Sequence, residues 1–417
     1  MRILVGAAVL VVVVAGGVFL LYPRSGAAPE SRALGMVAAI TSGPAPIELV
    51  EREVVLPDGA TTTFRMPKEF EIAVAAEDLG KARFMAESPD GRIFLPDIVD
   101  YKLSHEGRVF ILEDFDEFTK TFRTKHTYLT GLRGPNSLAF YTDPEGQHWL
   151  YIALTAHLVR YPYEPGDTEP SGEPEIVAEF PNSQSPGEVS VVWHITRTIF
   201  FHDDRVYASV GSGCNSCEQL SGDMRAMIYS MKPDGTDKRV HGDGLRNTVG
   251  ITMVGDALYA TANGVDHLGP DRPNEVMYKI EDGRHYGWPF CYAFDGAMIP
   301  DTSQTWDEPI PCDNVPLPFA WFEPRSAPLG LKFFEEGHPV LKDSFLVALH
   351  GSFEPEMGAG YQIRRVRSDG THEIFMDGFL KDGVQLARPV DFFQHDANSF
   401  FFTDDHGGRV YYVYANR

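Results

Sequence analysis

Residues 195–211 read ITRTIFFHDDRVYASVG, two apolar β-rich runs joined by an Asp-Asp turn. β-branched and aromatic residues on either side of such a turn predict a β-hairpin. The pattern returns in ARFMAESPDGRIFLPDI (82–98), NSLAFYTDPEGQHWLYIAL (136–154) and VGITMVGDALYATANG (249–264). Two further copies are LGLKFFEEGHPVLKDSFLVALHG (329–351) and PVDFFQHDANSFFFTDDHG (389–407). These six units begin 54, 59, 54, 80 and 60 residues apart. Third strands follow in AMIYSMKPDG (226–235) and YQIRRVRSDG (361–370). A small sheet repeated at this spacing predicts an all-β, six-bladed β-propeller, each blade covering the apolar face of the next. A large β-sandwich is the alternative. The long fourth interval predicts an insertion around residues 290–320.

The rest of the chain agrees with that class. Hydrophobic residues make up 43% and charged residues 23% of the 417, a globular composition. The 39 glycines and 30 prolines suit many short strands and turns. A net charge of −23 without a basic block argues against nucleic acid as a partner.

Residues 1–24, MRILVGAAVLVVVVAGGVFLLYPR, carry an apolar run of the size that spans a bilayer, about 20 residues. Residues 1–31 are therefore expected to be a signal peptide or a membrane anchor, and the only contact with a membrane. Residues 32–67 read as a linker and first strand, with 47–55 and 61–65 extended, and residues 68–417 as the propeller. The expected location is periplasmic or otherwise extracytoplasmic. Four cysteines in an exported chain suggest disulfides, most naturally Cys214–Cys217 and Cys291–Cys312, with a zinc site as the alternative.

Propellers carry function on loops at one end of a central channel, so the informative residues lie just outside the strands. His194 precedes the third unit, and an imidazole suits general-base chemistry near neutral pH. Arg246 and Asn247 start the fourth unit, offering a fork for oxyanions and a polar group that orients a ligand. Arg388 starts the sixth. Polar side chains at equivalent points of different blades aim at one axis. The segment ANGVDHLGPDRPNE (262–275) adds glycine and carboxylates that suit a hard cation.

Taken together, His194, ASVGSGCNSCE, GLRNTVGI, ANGVDHLGPDRPNE and GRHYGWPFCY resemble the glucose/sorbosone dehydrogenase family of propellers that use pyrroloquinoline quinone (PQQ). ALHGSFEPEMGAGYQIRRV, ARPVDFF and TDDHGGRVYYV extend the resemblance over most of residues 80–415. It implies that His194 is the general base for a sugar hydroxyl and that Arg246 lies beside the reacting quinone carbonyl. It also implies that Asn247, His350 and Arg388 bind PQQ and that the backbone carbonyls of Gly264 and Val265 hold calcium. Trp193 and Leu386 stand where the family carries an aspartate beside the base and a second cofactor arginine. The function so implied is a sugar dehydrogenase of aldose or sorbosone type, passing electrons to a cytochrome or quinone of the cell envelope. A non-catalytic binding propeller and a calcium-dependent lactonase are the other readings.

Overall fold

Six sheets of four or five strands follow one another along the chain in the computed structural model, which describes residues 46–56, 58–100, 104–181, 193–218 and 222–416. Each predicted unit supplies the first two strands of one sheet. Blade one runs from Ala86–Glu87 to Thr121–Leu132, blade two from Ser137–Thr142 to Glu175–Glu179, and blade three from Arg197–His202 to Arg239–Asp243. Blade four runs from Ile251–Val254 to Ala320–Phe322 and blade five from Pro328–Phe334 to His372–Met376. Blade six starts at Pro389–Asp396, and its outermost strand is Phe70–Ala76 from the other end of the chain. That strand pairs antiparallel with Arg409–Ala415, Ile72 opposite Val413, and closes the ring. First strands of successive blades touch, so they line the centre. The fold is a six-bladed β-propeller, as the repeat predicts.

Period-two alternation explains why the blades stack. In the second strand of blade five, Phe345 and Val347 enter the apolar cluster shared with blade four, whereas Leu346 and Ala348 enter the one shared with blade six. In blade one, Phe94 faces blade two, and Ile93 and Leu95 face blade six. Both faces of every sheet are covered, and each fully buried large side chain contributes roughly 1.5–3 kcal/mol.

The insertion falls within blade four. After the third strand, Glu275–Ile280, the chain adds Arg284–His285 to the edge of blade three. It then makes the hairpin Cys291–Phe294 and Ala297–Pro300 before returning as the fourth strand. Both expected disulfides are present, Cys214–Cys217 and Cys291–Cys312, which leaves no thiol for zinc. The extended runs near the start form the hairpin Leu49–Val55 and Thr61–Pro67. Its Val54, Phe64 and Met66 are buried in the cluster between blades five and six. The expected export segment lies outside the described residues, and no described helix is long and apolar enough to cross a membrane.

Candidate active site

Two places in each blade reach the same end of the channel: just before the first strand and just after the second. His194, Arg246, Asn247 and Arg388 come from the first kind of place; Gly264 and His350 come from the second. Antiparallel pairing brings these points together, which is why residues far apart in sequence converge.

His194 has a left-handed backbone, φ 42°, uncommon outside glycine. Its Nδ1 lies 3.0 Å from the Ser212 carbonyl oxygen and 2.9 Å from Ser212 Oγ. A carbonyl only accepts, so Nδ1 carries the hydrogen and Nε2 keeps its lone pair. Burial, and then the nearby Arg246 guanidinium, hold the imidazole well below its ordinary pKa. It is therefore a neutral base at neutral pH. Gly211 allows this packing, because a Cβ there would lie 2.5 Å from the His194 Cβ and 2.7 Å from Asn247 Oδ1. The Trp193 ring flanks the site, 5.7 Å from the His194 ring and 5.9 Å from the Arg246 guanidinium carbon.

Arg246 is buried and heavily bonded. Nε donates to the Asn215 carbonyl at 2.9 Å, and Nη2 donates to Asn215 Oδ1 and Asp266 Oδ2, both at 2.8 Å. Nη1 donates to the Gly264 carbonyl. Asp266 also pairs with Arg325. Asn247 Nδ2 donates to Asn263 Oδ1 at 2.8 Å, and Asn263 Nδ2 reaches the Pro328 carbonyl at 2.9 Å. Blade four is thereby tied to blade five.

The metal expectation meets an obstacle here. The Gly264 carbonyl faces a guanidinium, and a calcium ion on that oxygen would sit against a like charge. Among the described residues no three His, Cys, Asp or Glu side chains form a metal cluster. As arranged, the Gly264 carbonyl does not favour calcium. Beside it lies Glu275, the last carboxyl of the same segment. It accepts the Gly264 N–H at 2.7 Å, and burial pushes it up to about 7.

A second cluster forms where blades five and six meet. Arg388 is 8% exposed; its Nε donates to the His350 carbonyl at 3.2 Å and its Nη2 to the Gly351 carbonyl at 2.7 Å. Among the described residues it makes no ion pair, and its Nη1 has no hydrogen-bond partner. That is a buried cation held by carbonyls with a donor left over, the arrangement that suits an incoming carboxylate. His350 differs from its expected role. Its Nε2 donates to Asp405 Oδ1 at 2.7 Å, and Asp405 also pairs with the buried Arg83 at 2.9 Å. Burial takes His350 down to about 4, whereas His350 and Arg83 hold Asp405 below the usual carboxylate range. The imidazole is neutral and its N–H is spent, so it brings no positive charge to a carboxylate. The two clusters connect through backbone: Asn263 bonds Pro328, and the His350 N–H bonds Ala327.

Ser212 and Asn215 also went unrecognised, although both lie in the quoted segment ASVGSGCNSCE. Position between two cysteines was the available signal for Asn215.

The sequence profile of the TrAA12-like family matches residues 133–377, more than half of the chain. The Trichoderma reesei carbohydrate-active enzyme of Family AA12 superposes with a TM-score of 0.68 at 18% identity, covering 84% of this chain and 97% of that one. The PQQ domain of Coprinopsis cinerea pyranose dehydrogenase gives 0.62 at 18% identity, covering 84% and 97%. The PQQ-bound aldose sugar dehydrogenase of Streptomyces coelicolor gives 0.57 at 18%, covering 84% and 100%. At these identities the likeness concerns the fold. An uncharacterised Borreliella burgdorferi protein is 26% identical over 229 residues, 52% of this chain, and the chain spans 58% of that relative's length. With the propeller and the profile match agreeing over blades two to five, the chain belongs to the TrAA12-like family.

Proposed function

We propose that this protein is a quinoprotein sugar dehydrogenase that binds PQQ and oxidises a sugar hydroxyl. The observation that carries the reading is a neutral imidazole, its Nε2 lone pair set by the Ser212 contact, beside the buried Arg246 guanidinium. In support of PQQ, the buried Arg388 guanidinium bonds backbone carbonyls and has no ion pair among the described residues, which suits a carboxylate of the cofactor. When bound, the quinone supplies the acceptor for the hydride that leaves the sugar carbon. The chain's own residues do the rest. His194 Nε2 takes the proton from the sugar hydroxyl as the C–O bond gains double-bond character. Arg246, fixed by Asn215 and Asp266, presents a positive charge to developing negative charge, as an oxyanion site does. Asn247 orients the ligand, and Trp193 offers an apolar face beside the base. The positive charge that calcium would bring is already present as Arg246, so no step is assigned to calcium.

The two disulfides accord with an oxidising compartment and hence with export; the reading includes an envelope cytochrome or quinone as electron acceptor. The PQQ-containing relatives support the cofactor.

The test is to load the purified protein with PQQ, follow binding by absorbance, and measure dye reduction with a panel of aldoses. His194→Ala is expected to lower kcat roughly 10²–10⁴-fold while PQQ still binds. Absence of PQQ binding and of dye reduction by the wild type would leave a non-catalytic propeller as the reading.

A further inference from the structure

The segment from Ser212 to Cys217 touches both candidate catalytic groups. Ser212 N–H donates to the Arg246 carbonyl at 2.7 Å, and the Ser212 carbonyl and Oγ receive the His194 Nδ1 hydrogen. Ser212 Oγ passes its own hydrogen to the Cys214 carbonyl at 2.6 Å. One residue beyond Cys214, the Asn215 carbonyl accepts from Arg246 Nε and, at 3.0 Å, from Trp288 Nε1. Its Oδ1 accepts from Arg246 Nη2 and, at 2.9 Å, from the Asp266 N–H. Cys214 packs with Val265 and Trp288, and the Cys214–Cys217 disulfide closes the turn around Asn215.

We infer that the disulfide-closed turn Ser212–Cys217 is one positioning element that sets the tautomer of His194 and the aim of Arg246 together. A carbonyl has a usable direction only while its peptide plane is held. Asn215 presents two oxygens to one guanidinium, so rotation of either peptide in the turn moves the arginine. The same turn carries Ser212, so the base moves with it. Ser212 and Asn215 are positioning residues: neither needs to touch substrate or cofactor. The effect on turnover rests on the proposed dehydrogenase activity; the effect on tautomer and arginine does not.

Two sets of measurements separate these. In the PQQ-free protein, nitrogen NMR of the His194 ring, assigned by its loss in His194→Ala, reports the tautomer. Hydrogen exchange at Arg246 Nε reports its bond to Asn215. The wild type is expected to show Nδ1–H only and a protected Nε–H. Cys214→Ser/Cys217→Ser is expected to show mixed tautomers and faster exchange, and Cys291→Ser/Cys312→Ser neither. In the loaded enzyme, Asn215→Ala is expected to lower kcat by about 10²-fold, the scale of an ångström-level displacement. KM and PQQ affinity should stay near wild type, and Asn215→Asp, which keeps an oxygen facing Arg246, should restore most of kcat.

A wild-type tautomer and wild-type exchange in the double serine variant would overturn the inference. So would loss of PQQ affinity in step with kcat in Asn215→Ala, or no rescue by Asn215→Asp. If the double variant does not fold, the two Asn215 variants, which keep the disulfide, decide the matter through exchange at Arg246 Nη2, which bonds Asn215 Oδ1. Faster exchange in Asn215→Ala and near wild-type exchange in Asn215→Asp are expected, and wild-type exchange in Asn215→Ala would overturn the inference. If the wild type oxidises no sugar, the dehydrogenase reading fails and the NMR outcome still decides the turn.

Discussion

Arg246 and Arg388 are both buried, yet their hydrogen bonds assign them different work. Arg246 is committed on every nitrogen, to Asn215, Gly264 and Asp266, so it acts as a fixed charge. The Arg388 guanidinium donates to backbone carbonyls and, among the described residues, makes no ion pair, which leaves its charge to a ligand. Arg388→Ala is accordingly expected to weaken PQQ binding roughly 10- to 100-fold, the range of a lost charge-assisted hydrogen bond, with little change in kcat at saturating cofactor. Titration by absorbance checks the first part and dye reduction the second. The pH profile follows from His194. Burial and Arg246 hold its folded pKa below the ordinary 6.5, so the base is neutral above the lowered value and protonated beneath it. The acid limb of kcat is therefore expected below pH 6.5, and an acid limb above that pH would contradict a base buried beside an arginine.

At the scale of elements, the hairpin Leu49–Val55 and Thr61–Pro67 is part of the propeller's packing. Phe64 is fully buried, with its ring edge-on to Phe379 at 4.8 Å and to Tyr411 at 5.8 Å. Arg65 and Asp377 exchange backbone hydrogen bonds, both at 3.0 Å. Phe64→Ala is expected to cost about 3–5 kcal/mol, the usual range for a buried phenylalanine, as read by urea denaturation. The hairpin's two strands are legible from their alternation, but what they cover is not. The insertion is similar. Its position follows from the long fourth interval, whereas the parallel pairing of Gly242 with Arg284 depends on contacts made after the blades have stacked.

For the whole molecule, the channel buries charge that affects stability as well as chemistry. Asp391, on the first strand of blade six, accepts the Met85 N–H of blade one at 2.9 Å. Burial pushes its carboxyl from 3.8 up to about 7, with the Met85 and Phe392 N–H groups, and then Lys332 and Arg83, only partly offsetting the effect. A raised folded pKa means that the native state holds a proton the unfolded chain has lost. Its contribution to stability is complete below pH 3.8 and is lost as pH rises through 7. Asp391→Asn keeps an acceptor for Met85 and removes the ionisation. Relative to the wild type, its stability is expected to climb between pH 4 and 7 by up to roughly 4 kcal/mol, measured as the difference in urea unfolding free energy. A flat difference would place the Asp391 pKa near its unfolded value. His350 acts in the opposite sense over part of this range, because its pKa falls from 6.5 to about 4. Comparison of variant with wild type at each pH removes that contribution.

By itself the sequence determined the local units: six hairpins with Asp-rich or glycine-containing turns, their third strands and the candidate residues at the strand starts; the disulfide pairing it suggested became definite only with the structure. Each depends on neighbours within a few tens of residues, which periodicity and turn chemistry report directly. Tertiary structure decided what depends on distant partners. Phe70–Ala76 closes blade six only because the ring returns it to Arg409–Ala415. His350 stands beside Arg388 at one end of the channel, but Asp405 takes its N–H, and no spacing rule pairs two residues that follow different second strands. Gly264 offers its carbonyl to Arg246, where the motif alone suggested a cation. Asn215 could not be recognised as the partner of Arg246 until blades three and four were side by side. Hydrophobic alternation is a one-dimensional signal, whereas a buried polar group is satisfied by whichever partner the packing delivers.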